Sequence, residues 1–447
     1  MNNSYSVEDG SNIAVVGGGP AGSFFSIFAL KMAKMVGKKI NLTIYEPKNF
    51  SRDGPLGCNR CGGIISELLV QTLAVEGINL PDTVVQKGIN SYRLHTDYGK
   101  VSIETPTHEK TIATIYRGGG PKGAIGKGKK SFDQFLLGLA VQEGAIHNSL
   151  RIDHIEYKNK RPSLFSRGEK IQDADLVVGA VGVKSQTSKI FEEIGFGYKR
   201  PETVTAAIAE IGMDKEAIAE YFGSSVQLFL LPIRNIKFAA MIPKGTYVTV
   251  CILGKNMNAR TVSHFIENSV VRSVLRGDTE FSVDCRCLPK MNIKAPTVPF
   301  ADRIVICGDA GSTRLFKDGL GAAYLMGKAA AKTAVFEGVS GMHFRKGYLP
   351  VYRSIMVDNL YGRFLFSIID LHKKSRLLTE TMLRVVQKEQ ENEHYPKRLS
   401  SILWDMFTGN ERYKNIFYRA WSLPLQIDLF GALSKNIIGF NRVQNSI

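Results

Sequence analysis

An α/β fold with an inserted β-rich region and a helical C-terminal region is predicted from three features of the sequence. Residues 12–46 alternate strand, glycine turn, helix and strand, which is the βαβ pattern of a parallel sheet. Residues 90–117 then contain short β-like runs with no helix between them, and residues 343–447 are mostly helical in character. The length of 447 residues suits two or three domains, and the hydrophobic content of 44% excludes a disordered or fibrous chain.

The charge balance indicates an anionic partner. The chain has 58 Lys and Arg residues against 41 Asp and Glu residues, which gives a formal net charge of +17. Such a charge suits a phosphate-bearing cofactor, an acidic lipid surface or nucleic acid. The sequence contains no recognisable nucleic-acid-binding module, so we expect no nucleic acid among the partners.

The cysteines and the N-terminus indicate a cytoplasmic protein. Six cysteines in 447 residues do not form the dense pattern of a secreted disulfide scaffold. Residues 1–10 lack the basic start and the apolar run of a signal peptide. No stretch reaches the ~18 consecutive apolar residues that cross a bilayer, so we expect any contact with the inner face of the membrane to be peripheral.

The first glycine turn predicts a dinucleotide site. The turn that follows the strand at 12–16 contains the residues Gly17, Gly19, Pro20, Ala21 and Gly22. These glycines let the backbone approach a pyrophosphate, whose charge then meets the N-terminus of the next helix. The second strand ends on Glu46, where a carboxylate binds both hydroxyls of an adenosine ribose. An adenine dinucleotide without a ribose 2′-phosphate is therefore predicted.

A second glycine motif points to FAD rather than NAD. The strand at 303–307 leads into Gly308-Asp309, and a helix opens ten residues later with Gly319, Leu320, Gly321 and Ala322. These features resemble the second FAD motif of the para-hydroxybenzoate-hydroxylase-like flavoproteins. The resemblance implies that Asp309 binds the ribityl chain and that residues 319–322 face the pyrimidine edge of the flavin. The N-terminus of that helix would stabilise negative charge on a reduced flavin.

The likeness narrows to the geranylgeranyl reductase branch of these flavoproteins at Cys61-Gly62-Gly63. In that branch a cysteine followed by glycines lies on the face of the isoalloxazine, so the resemblance implies that these residues contact the flavin. Further matches are Ser131-Phe132-Asp133 and Pro243-Lys244-Gly245. Lys129 occupies the place where the reductases have an arginine against FAD. The likeness extends over residues 11–340.

Two departures from these families bear on the reaction. The hydroxylases have Asp-Gly after the second long strand, whereas this chain has Val181-Gly182, which disfavours a hydroxylase. The reductases have Tyr-x-Trp before the Pro-Lys-Gly strand, whereas this chain has Phe238-Ala239-Ala240. The prenyl pocket of this chain is therefore expected to differ from that of the reductases.

The pair Cys58 and Cys61 has four interpretations that the sequence leaves open. The thiols can be a redox dithiol that relays electrons to flavin, half of a zinc or iron–sulfur site, a pair that faces the substrate, or two buried thiols without chemistry. A redox or flavin-contacting role is favoured, which makes Cys58 and Cys61 the candidate catalytic residues. No metal site is assigned.

Aromatic residues interleave with basic residues in the C-terminal region. Residues 343–447 contain 16 Lys and Arg against 9 Asp and Glu, so this region holds +7 of the net charge. The aromatic residues expected to meet lipid are Phe364, Phe366, Trp404, Phe417, Tyr418 and Trp421. Two interpretations stay open, namely a helical cap on the catalytic core and a surface that binds the headgroups of an anionic membrane.

A domain organisation and a function follow from these features. The predicted domains are a discontinuous FAD-binding domain of the Rossmann-like, hydroxylase type (11–85, 131–195 and 293–340), a β-rich substrate domain (86–130 and 196–292) and a helical domain (341–447). The resemblance implies an FAD-dependent oxidoreductase that reduces carbon–carbon double bonds of a prenyl or other hydrophobic substrate, with NAD(P)H or ferredoxin as electron donor. A flavin monooxygenase and an electron-transfer flavoprotein that reduces a membrane quinone are the alternatives. The oligomeric state stays open.

Overall fold

The computed structural model describes residues 5–107, 110–122, 129–183, 186–275 and 282–444. Its first layer is a six-stranded sheet formed by β1 (Asn12–Val16), β2 (Asn41–Tyr45), β8 (Ile146–Asn148), β12 (Leu176–Gly179), β20 (Phe300–Ala301) and β21 (Ile304–Ile306). The strand order is β20-β21-β12-β1-β2-β8, and every pair is parallel except β20 with β21. The predicted βαβ unit is therefore the centre of a parallel sheet.

Both faces of this sheet are covered, which explains why its strands are apolar at consecutive positions. Ile13 and Val15 belong to the core formed with helices α1 (Pro20–Met35), α3 (Phe132–Gln142) and α8 (Gly319–Lys332). Ala14 and Val16 belong to the core of the opposite face. That face is covered by α4 (Thr187–Glu193) and by an antiparallel sheet of β9 (His154–Lys158), β10 (Arg161–Ser166) and β11 (Glu169–Asp173).

The second layer is a seven-stranded sheet. Its strands are β5 (Ser91–Thr96), β6 (Gly99–Glu104), β14 (Ala207–Gly212), β15 (Ser225–Phe229), β16 (Ile236–Lys244), β17 (Tyr247–Gly254) and β18 (Ser282–Cys287). The order is β18-β14-β17-β16-β15-β5-β6, antiparallel except between β15 and β5. One face packs on α5 (Lys215–Phe222), α6 (Ala259–Glu267) and α7 (Ser269–Val274), and the other face packs on the C-terminal helices.

Smaller elements join the two layers. One sheet consists of β3 (Ile64–Ser66), β7 (Ile112–Ile115) and β4 (Val85–Ile89), and another pairs β13 (Glu202–Thr205) with β19 (Lys290–Lys294). Helix α2 (Glu67–Val75) follows β3 and begins where Ser66 Oγ accepts the Leu69 N–H. The division into domains stays a prediction, and the strands of the parallel sheet all come from the three segments assigned to the cofactor domain.

The C-terminal region is helical, as predicted. Its helices are α9 (Gly341–Gly347), α10 (Leu349–His372), α11 (Arg376–Glu391), α12 (Arg398–Thr408), α13 (Tyr413–Ala420) and α14 (Leu423–Gln444). Phe366 and Trp404 are buried, and the Trp404 indole donates to the Lys110 carbonyl, so the expectation that these two rings meet lipid is wrong. No helix in the described part of the chain is long and apolar enough to cross a bilayer.

Candidate functional site

The first glycine turn has the close approaches that its sequence predicts. Gly17 has a φ of +108°, and a Cβ there would lie 2.4 Å from the Ala180 carbonyl oxygen. A Cβ on Gly22 would lie 1.9 Å from the Gly17 carbonyl oxygen. A Cβ on Gly19, the residue before α1, would instead meet nothing within 4 Å. The turn therefore packs tightly against the protein at Gly17 and Gly22. It is open at Gly19, beside the N-terminus of α1, where a phosphate group would bind.

The carboxylate of Glu46 lies directly against this turn. Its Oε2 accepts the Gly18 N–H at 3.0 Å, and its Oε1 accepts the Lys48 N–H at 2.9 Å. Burial raises the pKa of Glu46, while these two backbone donors oppose the shift. The two donors fix the carboxylate beside the helix N-terminus, and each oxygen keeps a lone pair for a ribose hydroxyl.

The second glycine motif meets the first. Gly308 has a φ of +68°, and a Cβ there would lie 2.6 Å from the Ala21 Cβ, so the end of β21 touches the start of α1. A Cβ on Gly319 would lie 3.9 Å from Asp309 Oδ1, so the two halves of the second motif are also adjacent. Asp309 is solvent-accessible yet closely surrounded by protein atoms, and this desolvation raises its pKa while Arg117 opposes the shift. These contacts define one groove between the starts of α1 and α8.

Asp318 caps the N-terminus of α8, the helix start that the sequence assigned to the flavin. Its carboxylate accepts the Gly321 N–H at 2.9 Å and pairs with Arg314. Leu320 and Ala322 are buried in the packing of α8. Among the described residues, no protein acceptor binds the N–H groups of Gly319 and Leu320, so these two amides are the donors that α8 offers to a ligand.

The ion pair between Arg117 and Asp133 at the centre of the site is not predicted by the sequence, which marks Asp133 only through its resemblance to the reductases. Asp133 is buried and accepts four hydrogen bonds, from Arg117 Nε at 2.7 Å, Arg117 Nη2 at 3.0 Å, the Gly118 N–H at 2.7 Å and Asn59 Nδ2 at 2.8 Å. Burial opposes the charge of Arg117, yet Asp133, Cys61 and Asp309 together raise its pKa. Arg117 is therefore the cation that lies beside both the cysteine loop and the second glycine motif.

Lys129 has a different environment from Arg117. It is exposed, and its ammonium donates to the carbonyls of Asp82 at 2.8 Å and Val85 at 3.1 Å. Its assignment as a contact of FAD stays a prediction. Residues 123–128 of the glycine and lysine-rich loop lie outside the described residues.

The cysteine loop lies on one face of the seven-stranded sheet. A Cβ on Gly62 would lie 3.7 Å from Cys251 Sγ, and a Cβ on Gly63, whose φ is +67°, would lie 2.9 Å from Lys244 Nζ. The Gly63 N–H points at Cys61 Sγ, 3.4 Å away, and the Arg60 N–H points at Cys58 Sγ, 3.3 Å away. The predicted residues Cys58, Cys61, Gly62 and Gly63 therefore stand opposite β16 and β17.

Three further thiols share that face. Cys251 and Cys287 are both paired with Ile208 across β14, and Cys285 is paired with Glu210, so all three project to the same side. All five thiols are half-buried and free. Burial raises the pKa of Cys58, and it raises the pKa of Cys285 to about 11 and that of Cys287 to about 12. Cys58, Cys285 and Cys287 therefore hold protonated thiols at neutral pH, and the Cys61 side chain lies on the same face of the sheet.

Buried polar groups lie beside the thiols, on the same face of the sheet. Glu210 accepts a hydrogen bond from Thr249 Oγ1 at 2.7 Å, and burial raises its pKa while Lys244 opposes the shift. Lys244 Nζ lies 5.0 Å from the centre of the Tyr116 ring. The Tyr116 hydroxyl is buried with no hydrogen-bond partner among the described residues. Glu210, Lys244 and Tyr116 thus form a cluster of polar groups next to the cysteine loop.

Aromatic rings close the other end of the cleft. Phe238, which replaces the first residue of the reductase Tyr-x-Trp motif, stacks on Phe366 at 5.7 Å and meets Phe407 at 5.1 Å. Phe316 meets Phe238 edge-on at 6.2 Å between ring centres. Because Phe366 and Phe407 come from α10 and α12, the C-terminal region contributes an apolar wall to the site.

The described residues give no support to a metal site. No group of three or more His, Cys, Asp or Glu side chains among them has a geometry that could hold a metal ion. Two surface pockets of about 390 and 520 Å³ lie elsewhere, and neither is lined by any of the residues assigned to the cofactor or to catalysis. The groove between α1 and α8, with the thiol cleft next to it, is therefore the candidate site.

Comparison with known proteins defines the class of the fold. No family model and no curated protein matches the chain. A geranylgeranyl bacteriochlorophyll reductase-like protein from Thermoplasma acidophilum has a TM-score of 0.63 at 16% identity, covering 93% of this chain and 99% of that one. A flavoprotein/dehydrogenase from Cytophaga hutchinsonii has a TM-score of 0.62 at 14% identity, covering 96% and 100%. The flavin-dependent halogenase CmlS has a TM-score of 0.57 at 18% identity, covering 98% and 79%.

The chain therefore has the hydroxylase-type fold of FAD-binding proteins. This confirms the predicted fold class, and a geranylgeranyl bacteriochlorophyll reductase-like structure is among those that share the fold. The residues present also fit FAD, because the open space at Gly19, the fixed carboxylate of Glu46 and the adjacent Asp309 and Gly319 lie along one groove.

Proposed function

We propose that the protein is an FAD-dependent oxidoreductase that reduces a carbon–carbon double bond of a hydrophobic substrate. The observation that carries the proposal is the convergence of the two glycine motifs, with Asp309 adjacent to Gly319 and Gly308 against Ala21. Glu46 would hold the adenosine ribose, the α1 N-terminus the pyrophosphate, and Asp309 the ribityl chain. When bound, FAD would supply the hydride chemistry, with NAD(P)H or ferredoxin as the source of electrons.

The chain's own residues suit an apolar substrate. The cleft next to the groove is lined by half-buried thiols and bordered by Phe238, Phe316 and Phe407, so it offers an apolar surface to a substrate. Cys61 would contact the flavin face, and Cys58 would line the substrate side of the same loop. Because burial raises the pKa of Cys58, its thiol form is available as a proton donor at neutral pH.

Replacing Glu46 by Gln is expected to weaken FAD binding by about 1–3 kcal/mol, because a ribose hydroxyl loses a charged acceptor. The measurement is the dissociation constant of FAD, obtained by titrating flavin-depleted protein and following flavin fluorescence. Glu193→Gln, an exposed residue of α4, is the matched control. Purified protein that contains no flavin and takes up none would overturn the proposed function.

Replacing Cys61 by Ser is expected to change the visible spectrum of bound flavin while the FAD content stays the same, because a polarisable thiol is exchanged for a hydroxyl at the flavin face. Cys58→Ser is expected to leave the spectrum unchanged and to slow the reduction of substrate. The measurements are absorbance spectra of the oxidised protein and stopped-flow reoxidation. Two variants that are both indistinguishable from the native protein would assign the pair a structural role.

A further inference from the structure

Helix α10 presents an apolar stripe to solvent. Six exposed residues follow one another at alternating spacings of four and three, which places them on a single face of α10. They are Arg353, Val357, Leu360, Phe364, Ser367 and Leu371. Four of the six are apolar, Arg353 stands at one end of the stripe, and the exposed Lys374 follows the other end, two residues after α10.

Helices α13 and α14 continue this surface. The same spacing relates Lys414, Tyr418 and Trp421, and then Leu423, Ile427, Phe430, Ser434 and Ile437, all of them exposed. The Phe364 and Trp421 rings lie 6.4 Å apart, which joins the α10 stripe to α13. We call the apolar members of these stripes the C-terminal apolar surface: Val357, Leu360, Phe364, Leu371, Tyr418, Trp421, Leu423, Ile427, Phe430 and Ile437.

This surface concentrates the exposed apolar side chains of the molecule. Ten of the 21 large hydrophobic side chains that are exposed among the described residues belong to it. The three helices form a small part of the 447 residues, so the concentration is not the scatter that any protein surface shows. A concentration of exposed apolar side chains of this kind marks a contact with a partner or a membrane.

The acidic and the basic side chains of these helices have different environments. Asp358 is buried and accepts the Tyr413 and Lys414 N–H groups, while Asp370 pairs with Lys237 and Asp428 pairs with Arg398. The basic side chains that border the stripes are Arg353, Lys374, Lys414 and Lys435. All four are exposed and make no ion pair within the described residues. The carboxylates are thus hydrogen-bonded or ion-paired within the fold, and the bordering cations face solvent.

We propose that the C-terminal apolar surface binds the face of an anionic phospholipid bilayer, with α10, α13 and α14 lying along the interface. Tyr418 and Trp421 have the amphipathic rings that favour the headgroup level, and the bordering cations meet lipid phosphates. A second copy of the chain is the less favourable occupant, because its identical surface would bring unpaired cations against unpaired cations. This inference goes beyond the proposed function and does not depend on it.

The experiment is sedimentation of the full-length protein, as purified, with vesicles of phosphatidylcholine alone or mixed with phosphatidylglycerol, across a salt series. The apolar variant is Leu423→Ser/Ile427→Ser/Phe430→Ser, and the charge variant is Lys374→Glu/Lys414→Glu. Arg419 is left intact because it contacts the buried Asp405. The matched controls are Met35→Ser/Val75→Ser, which removes two exposed apolar residues elsewhere, and Lys34→Glu/Lys255→Glu.

Native protein and both controls are expected to bind the anionic vesicles, and binding is expected to fall with salt as the Debye length shortens from about 10 Å at 0.1 M to about 3 Å at 1 M. The apolar and charge variants are each expected to lose at least about tenfold in the ratio of bound to free protein. Equal sedimentation with neutral and anionic vesicles would overturn the proposal. So would a dimer in analytical ultracentrifugation that the apolar variant dissociates, because a second copy would then cover the surface.

Discussion

Replacing Asp133 by Ala is expected to lower the free energy of unfolding by about 3–5 kcal/mol. The carboxylate is buried and accepts four hydrogen bonds, two of them from Arg117. Truncation leaves the guanidinium of Arg117 in a poorly solvated position without its partner, which costs more than the loss of the hydrogen bonds alone. The measurement is urea denaturation followed by circular dichroism.

Two further variants make this result specific. Asp214→Ala removes an exposed carboxylate that caps no N–H group, so it is expected to change stability by less than about 0.5 kcal/mol. Removing both charges in Arg117→Met/Asp133→Ala is expected to recover part of the loss, because no buried charge is then left unpaired. A double variant less stable than Asp133→Ala would show that the cost comes from lost packing instead.

The ion pair also explains how the cofactor groove and the thiol cleft are held next to each other. Arg117 follows β7, Asp133 lies in the first turn of α3, and Asn59 belongs to the cysteine loop, so one carboxylate holds three separate segments together. The same guanidinium lies beside Cys61 and Asp309. A change in this pair is therefore expected to affect FAD binding and stability together.

Much of the fold could be predicted because its signals are local. The strand at 12–16, the glycine turn and the helix to Met35 each follow from neighbouring residues, and the structure has them as β1 and α1. Glu46 directly follows β2 and lies against Gly18, as the spacing of the βαβ unit requires. The second glycine motif likewise forms at the end of β21 and the start of α8.

The rest of the site depends on contacts between distant segments. Cys251, Cys285 and Cys287 join the cysteine loop only because the register of β17, β14 and β18 places them on one face. Arg117 stands in a loop rich in glycine and lysine, where composition gives no hint of a buried ion pair. The sequence offered one signal, the match of Ser131-Phe132-Asp133 to the reductases, and that match marks Asp133 but not its partner Arg117.

The sequence also did not predict which aromatic residues of the C-terminal helices are exposed. Phe364 and Phe366 are two residues apart in α10, so they point to different sides of the helix. Phe364 is about half exposed, whereas Phe366 packs on Phe238 in the wall of the cleft. A list of aromatic residues could not separate the side of α10 that faces the core from the side that faces solvent.

Lys317 is expected to make the stability of the protein rise with pH. Its ammonium is buried where the loop before α8 meets the C-terminal helices, and it donates to the carbonyls of Asp405 at 2.7 Å and Glu411 at 2.9 Å. Burial, reinforced by Arg314, lowers its pKa from 10.5 to about 7. The unfolded chain therefore holds this proton more tightly than the folded chain does between pH 7 and pH 10.5.

The sign of the effect follows from that difference. Folding must release the proton in this pH window, so the free energy of unfolding is expected to increase by up to about 1.4 kcal/mol for each pH unit, and by about 3–4 kcal/mol in total between pH 7 and pH 10, since the slope is below its full value at the two ends of the window. The measurement is the difference in urea stability between native protein and Lys317→Met, because subtraction removes the titration of tyrosines and cysteines common to both. Lys255→Met, at an exposed lysine, is expected to give a difference that does not change with pH. Parallel pH profiles for native protein and Lys317→Met would contradict the prediction and assign Lys317 an ordinary, solvated charge.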